Sequence, residues 1–166
     1  MKSRAAILFI IALFLSGCEK ISLETMSVKK YISLLKSESY QFIELPPFDP
    51  DDIPELLKYA DENQILKHYP VNPVSSLSSG DCRLGVYVLW TIESVRKCSV
   101  SGDEDFFRFP TLNPILIFRI SGNGQINEKT AHQAASQAYK EWWNSNKDFN
   151  AIKNIDPLGD TPYTWR

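Results

Sequence analysis

Residues 82–98 are the most hydrophobic segment after the N-terminal region, and a stretch this apolar has to lie at the centre of whatever the chain folds into. Its less apolar positions, Arg83, Tyr87, Thr91, Ser94 and Lys97, step by four, four, three and three, which traces one helical stripe. Leu84, Val86, Val88, Trp90 and Ile92 also alternate in the manner of a strand. Leu89 breaks that alternation, and about 17 residues is long for a strand. The spacing therefore predicts a buried central helix with Asp81 as its N-cap.

The other elements are read against this one. Ser27 precedes Val28, Tyr31, Ile32 and Leu35 at helical spacing. Asp49-Pro50 offers a capping carboxylate followed by proline at the first helical position, with Ile53, Leu56, Leu57 and Ala60 as the apolar face behind it. Residues 69–80 carry Pro70 and Pro73 and read as a long loop, and residues 99–105 read as a polar loop. Asn113-Pro114 repeats the cap-plus-proline signature before residues 115–120, which suit a short helix or a strand equally. From about Thr130, the positions Ala131, Ala134, Ala135, Ala138, Tyr139, Trp142 and Trp143 trace a last long helix. The tail, with Ile152, Ile155, Leu158, Tyr163 and Trp165, is too apolar to hang free and is expected to wrap against the body. The resulting expectation is an all-α domain over residues 26–166. It would be a compact helical bundle or a short HEAT/ARM-like α-α repeat, with long loops and an extended C-terminal tail.

The N-terminus has the parts of an export signal. Lys2 and Arg4 precede an uninterrupted apolar run over residues 5–15. A bilayer core needs roughly 20 apolar residues in a helix, so this run is a signal segment and not a span. Leu15-Ser16-Gly17-Cys18 resembles the lipobox of bacterial lipoproteins. That resemblance implies removal of residues 1–17, acylation of Cys18 and a tether over residues 18–25. Two or more acyl chains give stable anchoring to a bilayer. Glu19 after the acylated position points to the outer membrane rather than retention at the inner one.

Without Lys2 and Arg4, sixteen cationic side chains face twenty acidic ones, and no basic cluster follows residue 18. This argues against nucleic acid as a partner, since phosphate backbones require a dense basic face. With 43% hydrophobic residues and four tryptophans, the chain can build one core without metal or disulfide staples. Cys82 and Cys98 on one continuous helix would stand roughly 24 Å apart. A disulfide requires Cα atoms closer than about 7 Å, so both are expected as buried free thiols.

His68 and His132 are the only histidines and fit no zinc-ligand spacing, so neither a metal nor another cofactor is expected. Asp49, Asp51, Asp52 and Glu55 are accounted for by the helix dipole, and Asp103-Glu104-Asp105 by a solvated loop. No catalytic motif is present. Two constellations invite function nonetheless. Trp143 and Trp165 could stack on the apolar faces of a sugar, and Cys82 with His132 as base would suit acyl transfer.

Three segments carry a wider resemblance: Cys82-Arg83-Leu84-Gly85 running into Leu89-Trp90-Thr91-Ile92-Glu93, then Phe109-Pro110-Thr111-Leu112-Asn113-Pro114, and Ala138-Tyr139 leading to Trp142-Trp143. In these the chain is similar to a family of small bacterial lipoproteins described only as a domain of unknown function. The resemblance implies a helical arrangement and an envelope location, and it transfers no catalytic residue. The function expected is a non-enzymatic, lipid-anchored interaction module with an envelope protein as partner. A glycan-binding accessory protein using Trp143 and Trp165, and a thiol hydrolase using Cys82 and His132, are the alternatives.

Overall fold

The computed structural model describes residues 22–76, 80–101, 108–120, 126–146 and 148–166. Cys18, on which the anchor expectation rests, and Asp103-Glu104-Asp105 lie outside the described residues. Helix α1 (Val28–Lys36) begins where the Ser27 hydroxyl accepts the Lys30 N–H at 3.3 Å, and it buries Val28, Tyr31, Ile32 and Leu35 as their spacing requires. The Asp49 cap is present too. Asp49 accepts the Asp51 N–H while Asp52 reaches back to the Asp49 N–H, closing a 3₁₀ turn over Pro50–Asp52 that leads into α2 (Ile53–Leu57).

Strand β1 (Ile65–Leu66) pairs antiparallel with β2 (Cys82–Arg83), Leu66 opposite Cys82 and Ile65 opposite Arg83. The chain passes straight from β2 into α3 (Leu84–Ser101), the central helix, whose residues from Leu84 to Val95 are all buried. The expected helix start is corrected here. Cys82 and Arg83 are extended, and Asp81 does not cap the helix. The Leu84 and Gly85 N–H groups instead donate to the carbonyls of Gln64 (2.8 Å) and Glu62 (2.9 Å). Backbone from the β1 side satisfies donors that a capping side chain would otherwise take.

The polar stripe of α3 is a seam that fastens neighbouring segments. Tyr87 donates to the Pro70 carbonyl (2.8 Å), Thr91 shares a hydrogen bond with Tyr31 (2.9 Å), and Lys97 donates to the Pro110 carbonyl (2.8 Å). Ser94 donates to the Arg108 carbonyl, and the Trp90 indole N–H to Thr111 at 2.8 Å. Each of these five side chains thus has a named partner, as burial demands of Tyr87, Trp90, Thr91 and Ser94.

Strand β3 (Leu116–Phe118) pairs antiparallel with β4 (Tyr163–Trp165), Ile117 opposite Thr164. Between them run α4 (Glu128–Asn144), capped by Asn127 and packed on α3, and α5 (Phe149–Ile152), capped by Asp148. The tail folds back as expected, burying Ile152, Leu158 and Tyr163. The all-α expectation, whether bundle or HEAT/ARM-like repeat, is overturned by the two antiparallel sheets: the domain is mixed α/β. The cause is non-local. Both sheets join segments far apart in sequence, and local periodicity carries no record of such a partner. No helix among the described residues is long and apolar enough to cross a membrane.

Candidate functional site

Strands β2 and β3 and the first turns of α3 and α4 enclose a cavity of about 290 Å³. Its wall is largely apolar, formed by Val86, Leu116, Ile117, Ile126 and Ala131. Cys82 and Arg83, adjacent in β2, bring the polar chemistry, and the exposed carboxylates of Asp81 and Glu128 complete the lining.

Arg83 is the unusual member. Its Nε is buried and meets no hydrogen-bond acceptor. Its guanidinium enters no ion pair within 4 Å among the described residues. Arginine keeps its charge in any protein. A cation held partly out of water with no close acid partner is costly unless something arrives to meet it. Cys82 lies in the fields of both Arg83 and Glu128, but burial dominates and pushes its thiol up to about 12. The sulfur is therefore protonated at neutral pH, and it donates weakly to the carbonyls of Arg83 (3.5 Å) and Pro114 (3.9 Å).

His132 sits on α4 with its Nε2 at 2.7 Å from the Ala60 carbonyl, and burial holds the imidazole below its ordinary value. Cys82 and His132 are not joined by a hydrogen bond: each side chain is engaged with backbone oxygen. Gly85 makes the histidine's position possible. A Cβ there would stand 2.3 Å from His132 Nε2 and 2.4 Å from the Ala60 oxygen. One turn along, Ser136 donates to Asp61 at 2.6 Å, and Lys140 pairs with the same carboxylate. The buried face of α4 accordingly includes His132 and Ser136, which apolar periodicity passed over.

The two tryptophans proposed as a sugar platform are placed separately. Trp143 is half-buried against Trp142 (ring centroids 6.0 Å) and Phe149 (6.3 Å). Trp165, in β4, meets Tyr139 edge-on at 6.4 Å, and its indole N–H donates to the Tyr139 hydroxyl at 2.8 Å. That hydroxyl donates in turn to Glu93 (3.0 Å), a buried carboxylate that accepts from Arg96 Nη2 and Nε at 2.7 and 2.8 Å. Trp165 is thus the outer end of a buried polar network. The rings of Trp143 and Trp165 are not in contact.

Cys82 and Cys98 are both free, the first buried and the second half-buried. His68 is exposed and contacts Glu38 at 3.0 Å. Among the described residues no three His, Cys, Asp or Glu side chains gather where a metal could sit. Sequence reasoning missed Arg83, which it read as one step of the helix stripe. The available signal was a cation placed directly before an apolar run, Leu84 to Ile92, that carries no charge of its own.

The class these features define is a small mixed α/β domain built around one helix that is buried from Leu84 to Val95, with a lateral cavity walled by its first turn. Residues 22–166 match the family described as Domain of unknown function (DUF4943), and the chain belongs to that family. No curated protein and no solved structure matches it.

Proposed function

We propose that this chain is a non-enzymatic binding module, tethered to the bacterial cell envelope through acylated Cys18, whose binding site is the cavity walled by Arg83. One observation carries the reading: half-buried Arg83, set at the edge of an apolar cavity, has an Nε that meets no acceptor and enters no ion pair within 4 Å among the described residues. Such a group gains most when a ligand supplies the missing acceptor. The partner is an envelope protein that inserts a short segment there. A thiol held protonated by burial supports binding rather than nucleophilic chemistry at Cys82. The tether rests on Leu15-Ser16-Gly17-Cys18 behind its apolar run, with Glu19 favouring the outer membrane.

A photo-crosslinking residue at Ile115, which lines the cavity and is 40% exposed, tests the binding site in living cells. The expected result is one discrete cross-linked product of defined mass. A smear, or no product, would overturn the reading.

A further inference from the structure

We infer that the Arg83 cavity recognises an apolar monocarboxylate: a single carboxylate carried on a branched or short aliphatic body. This deepens the binding reading above and rests on it.

The carboxylate follows from Arg83. Its planar fork of donors is matched by the two oxygens of a carboxylate; its Nε meets no acceptor, and Arg83 enters none of the ion pairs among the described residues. The apolar body follows from the remaining wall, where Val86, Leu116, Ile117, Ile126 and Ala131 offer surface that water wets poorly. Size limits the body. A cavity of about 290 Å³ lies at the small end of ligand sites, enough for an isobutyl-sized group and its carboxylate but not a long chain.

Single charge follows from the acids. Asp81 and Glu128 line the same cavity, and their fields oppose a second negative charge entering beside Arg83. Phosphate and dicarboxylates are thereby disfavoured against a monoanion. The protonated Cys82 thiol adds no negative charge to this balance. Two sources present the same chemistry: a free short-chain or N-acylated amino acid, and the C-terminus of a chain ending in an aliphatic residue.

Calorimetric titration of the mature chain tests this with 4-methylpentanoate, N-acetyl-leucine, a hexapeptide ending in free leucine, the amides of the last two, and inorganic phosphate. The acids should bind, and their amides and phosphate should bind at least about tenfold more weakly, the loss expected for a missing charged hydrogen bond. Arg83→Gln should bring the acids down to the level of the amides. Glu128→Gln, on an exposed position that leaves the core untouched, should tighten acid binding two- to threefold. Tighter binding of the peptide than of N-acetyl-leucine assigns the site to chain termini, and equal binding assigns it to free acids. Equal affinity for acids and amides overturns the inference, as does acid binding indifferent to both substitutions or no acid binding at millimolar concentration. A discrete cross-link at Ile115 without carboxylate selectivity would leave the binding reading in place and remove only this one.

Discussion

Gly85 shows how one atom decides the packing around this site. A methyl group there collides with His132 and with the Ala60 carbonyl, and the second of these is backbone that cannot swing aside. Gly85→Ala should lower stability by about 3 kcal/mol, combining an overpacked contact with a lost hydrogen bond, and urea unfolding would measure it. His132 makes the fold sensitive to mild acid. Burial depresses its folded value below the ordinary 6.5, so the unfolded chain takes up that proton first as the pH falls. The stabilisation from the neutral ring is complete above pH about 6.5 and drains below it. Asp61 acts in a separate window. Lys140 and Ser136 hold its carboxylate below the ordinary 3.8, so its contribution is lost only at more acid pH. The urea midpoint of the wild type should fall between pH 7 and pH 5, and that of His132→Asn should stay nearly level. At Cys82, a thiol pushed up to about 12 should resist iodoacetamide at pH 8 in the folded chain, whereas the half-buried Cys98 should react; prompt labelling of Cys82 would contradict the burial argument.

Among the elements, those fixed by local chemistry were legible and those fixed by distant partners were not. Ser27 and Asp49 cap their helices because short side chains reach N–H groups two or three residues ahead, and such geometry is written in adjacent letters. The stripe on α3 was visible as periodicity, although its role as a fastening seam required the loops of Pro70, Arg108 and Pro110 to be in place. Residues 115–120 stayed ambiguous because what makes Leu116–Phe118 a strand is Tyr163–Trp165, nearly 50 residues away. Arg83 escaped notice for the same reason: its cavity needs β3 and α4 as walls. The network linking α3, α4 and β4 gives a direct test at this scale. Arg96→Met leaves buried Glu93 with the partly exposed Lys97, at 4.0 Å, in place of the bidentate arginine and should cost about 3 kcal/mol. Tyr139→Phe removes both the donor to Glu93 and the acceptor for Trp165 and should cost about 1–3 kcal/mol.

At the scale of the whole molecule, a largely buried helix packs against α2, α4 and loop segments, with one flank left open as a cavity where Arg83 enters no ion pair within 4 Å among the described residues. The proposed membrane tether at Cys18 would keep the domain beside other envelope components. Cys18→Ala should therefore abolish incorporation of radioactive palmitate, and label retained in that variant would remove the anchor from the account. That the cavity, and not the half-buried Trp143 and Trp165, does the binding is the claim on which the rest depends. A ¹H–¹⁵N correlation spectrum recorded during titration with N-acetyl-leucine tests it most directly. The account expects shifts gathered on the amides of Arg83, Val86, Leu116 and Ala131, with the Trp143 and Trp165 indole signals unmoved. Shifts centred on those indoles, or none at all, would contradict it.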